Sequence, residues 1–319
     1  MKKYRFMWLF GALIFITFGI YILKKVDISV LRNLSVSTVI NLLILELLSV
    51  VVYAIGAWIM LRGTGVKAAL GNVYLITTGG GTAINFVSNI GLGIPTRVLL
   101  YKAVIDVPIS LGTVAVALET VGWFIVIGLI TIIPMPGIWD RNAWGPSLLV
   151  LLFAILAIVL FRYLPKLEHL IPIKILGLKT KSVTNTISNF RSGIKNMRWT
   201  NFIAALAIFC LNYFIQALVL YMILREFGWQ INIFYLNYIL VLSILAGWTS
   251  PLPYGLGTRD ISLGLLLSRL GIPQDVVVST VLIQTILRTS IPLILGLISI
   301  AILGIDRFKN LKGETVNNS

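Results

Sequence analysis

The sequence has little charge, one cysteine and one histidine. Only 12% of its 319 residues are charged, whereas soluble domains carry about 25%. Cys210 alone cannot form an intramolecular disulfide, and His169, the one histidine, lies in a basic loop, so we expect neither a Ser-His triad nor a histidine-based metal cluster. We therefore predict no metal site and no cofactor. We also do not expect an enzyme, because the sequence shows no recognisable spacing of a nucleophile and its base.

Apolar residues dominate what is present. They make up 58% of the chain, and the mean hydropathy is +0.97. This composition predicts an all-α polytopic protein of the cell membrane, since a spanning helix needs about 20 apolar residues. The net charge of +15 lies mostly in loops that flank apolar segments, which is how positive charge orients a membrane protein. We therefore expect the bilayer as a partner and no nucleic acid.

Six apolar segments predict full membrane spans. They are residues 6–23, 38–61, 109–133, 147–163, 201–224 and 276–303. The first has no small-residue cleavage motif after it, so we expect an anchor rather than a signal peptide. With two further, interrupted regions, the prediction is about eight hydrophobic segments, six of them full spans of roughly 20 residues.

The interrupted regions are residues 69–104 and 232–270. The first contains Gly79-Gly80-Gly81, Asn85, Asn89, Gly91, Gly93, Pro95 and Arg97, and the second contains Pro251, Pro253, Gly255, Gly257 and Arg259. Glycine and proline interrupt helices, and the helix predicted at 96–104 would be about 13 Å long, under half of a roughly 30 Å core. Broken, charged backbone is tolerated in a membrane only where protein encloses it. Each region is therefore predicted to be a re-entrant helix pair.

Basic charge predicts the orientation and the domain boundaries. We expect an N-terminal membrane half at 1–163, a basic cytoplasmic loop at 164–199, a C-terminal membrane half at 200–305 and a cytoplasmic tail at 306–319. Both termini would then be cytoplasmic. The loop is expected to orient the protein and to attract anionic lipid head groups.

The two halves also share a pattern. Glu119-Thr120 begins eleven residues after Pro108, and Gln284-Thr285 begins eleven residues after Pro273. With the first helix pair entering from inside and the second from outside, this echo favours an inverted repeat with a site near the midplane.

The breaks carry the predicted site chemistry. A half-helix that starts near the midplane presents unpaired N–H groups and a positive dipole, which bind anions. Thr96 and Thr258 are predicted N-caps, and Arg97 and Arg259 add guanidinium groups suited to phosphate. The full predicted substrate site comprises Asn89, Thr96, Arg97, Glu119, Thr258, Arg259, Asp260, Gln284 and Arg288, with backbone from Gly91, Gly93, Pro95, Pro251, Pro253, Gly255 and Gly257.

A structural role is the alternative for these charges. Arg97 could pair with Glu119 and Arg259 with Asp260, and Arg288 could extend to the interface. Each charge at the bilayer centre costs roughly 2.5–3.5 kcal/mol. Several charges with a purely structural role would therefore destabilise the protein considerably, so we favour a substrate role for these residues.

At these motifs the chain resembles the lysylphosphatidylglycerol synthase transmembrane family. The first half shows Asn89, Pro95, Arg97 and then Glu119, and the second shows Pro-x-Pro-x-Gly-x-Gly-x-Arg-Asp at residues 251–260. Within the second motif Tyr254 replaces a glycine and Asp260 replaces a glutamate, so the acid is retained. The resemblance implies lipid handling, since relatives are linked to flipping of aminoacyl phospholipids, to polyprenyl-phosphate sugar carriers or to hopanoids. Without a soluble transferase domain, it implies no synthase activity.

The leading hypothesis is a lipid translocase that holds an anionic head group between inverted repeats, with an anionic phospholipid or a polyprenyl-phosphate-linked lipid as partner. A small-anion or ion-coupled secondary transporter is the first alternative, and it would need an enclosed path rather than a lateral opening. A non-catalytic membrane accessory subunit is the second. A lipid-modifying enzyme is disfavoured, because the sequence shows no histidine in a membrane segment, no reactive cysteine pair and no recognisable spacing of a nucleophile and its base.

Overall fold

The computed structural model describes residues 34–84, 93–132, 193–195, 197–248 and 257–317, together with 152 and 255. Its elements are helical throughout this part of the chain. In chain order they are α1 (Val36–Gly63), α2 (Leu70–Ile76), a π-helix (Thr77–Ala83), α3 (Gly93–Ile105), α4 (Ile109–Ile132), α5 (Trp199–Glu226), α6 (Ile233–Trp248), α7 (Thr258–Ser268) and α8 (Gln274–Asn317).

Four of these helices are long and apolar enough to cross a membrane. They are α1, α4, α5 and the apolar part of α8, which ends at Gly304. They coincide with four of the six predicted spans, so the prediction of an all-helical membrane protein is confirmed. The other two predicted spans, 6–23 and 147–163, lie outside the described residues. Helix α8 continues to Asn317, past the end at residue 303 that hydropathy alone predicted.

Helices α1 and α5 pack closely along their length. A Cβ on Gly56 would lie 2.3 Å from Phe209 Cε1, so only glycine allows this approach. Polar groups cross the same interface, where the Asn212 amide donates to the Ser49 carbonyl oxygen at 2.7 Å. Interhelical hydrogen bonds and small residues are the usual means of holding helices together in lipid.

The first interrupted region forms two packed arms. The chain runs through α2 into the π-helix, which carries Gly79-Gly80-Gly81, and both segments pack against α3. A Cβ on Gly80 would lie 2.5 Å from Leu100 Cδ1, and one on Gly81 would lie 2.8 Å from Arg97 Cδ. The glycines therefore allow the π-helix to approach α3. The break between the arms, with Asn85, Asn89 and Gly91, lies outside the described residues.

Helix α3 corrects the predicted start of this half-helix. It begins at Gly93 rather than at residue 96 and has 13 residues. Thr96 therefore lies inside the first turn and is not the N-cap, because the helical backbone already includes Gly93 and Pro95. Proline in a first turn is tolerated, since the N–H groups there have no intrahelical partner.

The second interrupted region has the same layout. Helix α6 packs against α7, and Pro251 and Pro253 between them lie outside the described residues. The N-cap of α7 is Gly257, with φ of +84°, so Thr258 is the first helical residue and not the predicted cap. A left-handed φ favours glycine at this position.

Candidate functional site

A cavity of about 350 Å³ lies among α1, α3, α4, α5, α6, α8 and the π-helix. Three of the predicted site residues with side chains contribute to its wall, namely Arg97, Glu119 and Arg288, together with the backbone of Gly93. The other polar wall residues include Glu46, Ser49, Tyr53, Thr82, Thr120, Asn212, Tyr213 and Gln216. Polar and charged groups therefore converge on one space inside a bundle of apolar helices, which is where binding sites in membrane proteins are found.

Arg97 and Glu119 are paired across this space. Arg97 Nη1 donates to Glu119 Oε1 at 2.9 Å, and Nη2 donates to Oε2 at 2.6 Å. Arg97 is 4% exposed and Glu119 is 3% exposed. The predicted balancing of the Arg97 charge by Glu119 is therefore present, and the two parallel bonds fix the orientation of the guanidinium.

Aromatic residues hold this pair in place. The Tyr53 hydroxyl donates to Glu119 Oε1 at 3.0 Å, and the same hydroxyl accepts from Arg97 Nη1 at 3.2 Å. The Tyr53 ring lies 5.5 Å from Trp123, which stacks on Phe209 with ring centroids 4.3 Å apart. These aromatic residues were not predicted from the sequence, since aromatic residues are common in apolar spans and give no distinctive signal.

A second buried carboxylate, Glu46, was also missed. Its Oε2 accepts from Gln216 Nε2 at 2.9 Å, and the same amide nitrogen donates to Ser49 Oγ at 2.7 Å. Asn212 also donates to Ser49 Oγ, at 3.1 Å. The signal was available, because an acid within the predicted span 38–61 is a functional candidate by its position alone.

The second predicted motif lies beside the cavity. Among the described residues, the wall does not include Thr258, Arg259, Asp260 or Gln284. Arg259 is 2% exposed, and a Cβ on Gly247 would lie 2.9 Å from its Cβ. Arg259 and Arg288 both lie close enough to Glu46 to attract its ionised form. Arg97, Glu119 and Arg288 thus contribute to the same cavity wall, whereas Arg259 lies outside that wall.

Asp260 caps α7. Its Oδ2 accepts from the Gly257 backbone N–H at 3.1 Å, and its Oδ1 accepts from the Thr285 hydroxyl at 2.8 Å. A carboxylate at the third helical position satisfies an otherwise unpaired N–H group and favours the helix dipole. Asp260 therefore caps the N-terminus of α7 and, through its hydrogen bond with Thr285, connects it to α8.

The predicted echo between the halves has a structural counterpart. Helices α4 and α8 each begin directly after a proline, and in each case the proline carbonyl accepts a backbone N–H four residues later at 3.0 Å. The half-helix before each span is bonded to it near the same position, by Arg97 to Glu119 and by Asp260 to Thr285. In each half, a side-chain contact thus links a short helix to the long helix that follows it.

The fold and the cavity define a helical membrane protein with a charged internal site. The model of the family described as the lysylphosphatidylglycerol synthase TM region matches residues 8–296, which is most of the chain. The chain belongs to this family, so the resemblance of the motifs is confirmed and a lipid-related membrane function is indicated. A search of curated proteins finds no match.

Proposed function

We propose that the protein is a lipid translocase that binds the anionic head group of a phospholipid or polyprenyl-phosphate-linked lipid in the cavity. The observation that carries this proposal is the charged cavity itself, which lies among helices long enough to cross a membrane. The family's link to a lipid-related synthase supports a lipid as ligand. No enzymatic step is part of the proposal.

The rim of the cavity favours a lipid over a small anion. Ile94 is 46% exposed and Trp248 is 49% exposed, and both contribute to the wall. Exposed apolar side chains at the edge of a polar cavity suit a ligand with a polar head and apolar chains, because the chains can stay in the bilayer while the head enters. A transporter for a small anion would instead need a path closed to lipid.

Two arginines supply the attraction for a phosphate. Arg288 contributes to the wall from α8, and Arg97 contributes from α3 with Glu119 on its guanidinium fork. A phosphate can bind the same two N–H groups, since carboxylate and phosphate share this geometry. Head-group binding would then displace Glu119 from Arg97, and departure of the head group would restore the pair.

Helix α8 carries a row of polar side chains that leads away from the cavity. Thr280, Gln284 and Arg288 are spaced four residues apart, so they lie on one face and extend over about 12 Å. Thr280 and Gln284 are both 0% exposed, and the Gln284 amide has no hydrogen-bond partner among the described residues. Such groups favour a passing polar ligand or water. In an inverted repeat, this route would serve one leaflet and the α3 side the other.

A flipping assay tests the function. The protein is reconstituted into phosphatidylcholine vesicles with tail-labelled fluorescent phosphatidylglycerol, and dithionite measures how fast inner-leaflet label reaches the outside. We expect faster loss of label than in protein-free vesicles. Arg288→Gln should slow the movement about tenfold or more, because hydrogen bonds to charged groups contribute about 1.5–3 kcal/mol.

Arg225→Gln is the matched control, because Arg225 is exposed in the last turn of α5 and should leave the rate unchanged. Labelled polyprenyl phosphate is tested in the same vesicles. If neither lipid moves faster than in protein-free vesicles, the translocase function is wrong. Uptake of labelled inorganic phosphate into those vesicles would then favour the small-anion transporter.

A further inference from the structure

Glu46 is a carboxylate deep within a membrane-spanning helix. It lies ten residues into α1, about 15 Å from the helix start, which is half of a roughly 30 Å hydrocarbon core. Its side chain is 0% exposed and contributes to the cavity wall. Charge at such a depth is costly and is found mainly in ligand pathways and proton relays.

The hydrogen bonding of Glu46 is incomplete. Oε2 accepts one bond from Gln216, whereas Oε1 is buried and has no hydrogen-bond partner among the described residues. An ionised carboxylate can accept about four hydrogen bonds, and a protonated one also donates. Glu46 is therefore a group on which a proton can be bound or released with little rearrangement of its neighbours.

Charges around Glu46 depend on what occupies the cavity. Arg288 from α8 and Arg259 from α7 attract its ionised form. Helix α5 faces it with the neutral Gln216 amide, and the charge of Glu119 on α4 is balanced by Arg97 until a head group displaces Glu119. The segments α2 and the π-helix carry no charged residue. An anion bound to Arg288 would thus weaken one of the two attractions that favour the ionised form of Glu46.

We propose that Glu46 is a proton-binding site that takes up one proton when an anion binds at Arg288 and releases it when the anion leaves. This inference rests on the proposed function, since the anion is the lipid head group. In the balance, one proton from the bulk solution binds the Glu46 carboxylate and forms a carboxylic acid, while the bound anion replaces the charge of that carboxylate opposite Arg288. Anion movement and proton movement would then proceed in the same direction.

Infrared spectroscopy tests the proton site directly. The protein in phosphatidylcholine vesicles is titrated between about pH 4 and about pH 9, where carboxyl groups in proteins titrate. We expect a titrating carboxylic-acid C=O band that is missing in Glu46→Gln and present in Asp275→Asn, which removes an exposed acid at the start of α8. Gln216→Leu removes the bond to Oε2 and should move the band in frequency, which assigns it independently.

Coupling is tested by adding phosphatidylglycerol to the vesicles, or inorganic phosphate to the buffer. About 1 M salt is used throughout, because it screens the membrane surface potential. We expect the midpoint of the Glu46 band to rise by about one pH unit, which corresponds to about 1.4 kcal/mol of linkage. If the carboxylic-acid band of Glu46 is absent, or has the same intensity at every pH, Glu46 is not a proton-binding site, whatever the result of the flipping assay.

A titrating band that responds to neither anion would overturn the coupling. A response to inorganic phosphate, in a protein that fails to flip either lipid, would support the coupled site and contradict the lipid as its ligand. Failure of the proposed function and failure of the proton site are therefore separate results.

Discussion

Arg97 and Glu119 form a two-point ion pair that is almost completely buried between α3 and α4, with N–O distances of 2.9 and 2.6 Å. The pair joins a half-helix to the span that follows it in the chain. It is also part of the cavity wall, so the same two side chains connect the packing of the first half to the proposed ligand site.

The stability of this pair should depend on both partners. Arg97→Gln leaves Glu119 buried without its counter-charge, which is expected to cost roughly 3–5 kcal/mol. Glu119→Gln should cost a similar amount, and the double variant should recover much of it. Thermal unfolding in detergent measures the effect. Arg62→Gln is the control, because Arg62 is exposed in the last turn of α1. Additive losses in the double variant would contradict the pairing.

Polar access to the cavity predicts selective thiol labelling. Thr120 contributes to the cavity wall, whereas Thr131 is a buried residue of the same helix and donates to the Ile127 carbonyl oxygen. In a background with Cys210→Ala, Thr120→Cys should react with a small polar thiol reagent and Thr131→Cys should react at least tenfold more slowly, as burial restricts access and thiolate formation. Equal rates in folded protein would count against a water-filled cavity.

Much of the fold followed from the sequence because the bilayer simplifies the problem. Hydropathy placed four spans within a few residues, and the helices described in the interrupted regions, α2, α3, α6 and α7, are all shorter than a span. The exact helix starts at Gly93 and after Gly257 were missed, because proline and threonine are compatible with either a cap or a first turn.

The candidate site was predicted less completely. Arg97, Glu119 and Arg288 were predicted site residues because charges in apolar runs are conspicuous, and all three contribute to the cavity wall. The pairing of Arg97 with Glu119, which is present, was given as the structural alternative to a substrate role. Which arginine faces the cavity depends on helix rotation and packing, so Arg259 was expected at the site and lies beside it. Glu46 is also a charged residue within an apolar segment, so the criterion that identified Arg97 would have identified Glu46 as well.

Replacing two glycines that have positive φ is expected to reduce the stability of the protein by different amounts. Gly255 has φ of +70°, and a Cβ there would lie 2.9 Å from the Gly247 backbone, whereas Gly271 has φ of +77° with nothing within 4 Å. Gly271→Ala should cost about 1–2 kcal/mol from backbone strain alone. Gly255→Ala should destabilise the protein clearly more, since α6 must also move to make room for the Cβ. Melting temperatures in detergent compare them, and equal shifts would contradict the close approach of Gly255 to α6.

The orientation of the chain remains the broadest prediction. Basic residues in 1–5, in the loop 164–199 and in 306–319 predict that all three segments face the cytoplasm. Between the last two lie the spans α5 and α8 and the pair of α6 and α7, so both ends are cytoplasmic only if that pair makes an even number of crossings. Helices α6 and α7 have 16 and 11 residues, each fewer than the roughly 20 of a full span, so re-entry is the favoured way to meet this condition. Phosphatase and fluorescent-protein fusions at Lys181 and Ser319 report on which side of the membrane each residue lies. Cytoplasmic signals from both would support re-entry and the inverted repeat. Opposite-side signals would mean that α6 or α7 crosses the membrane, and the inverted repeat would have to be abandoned.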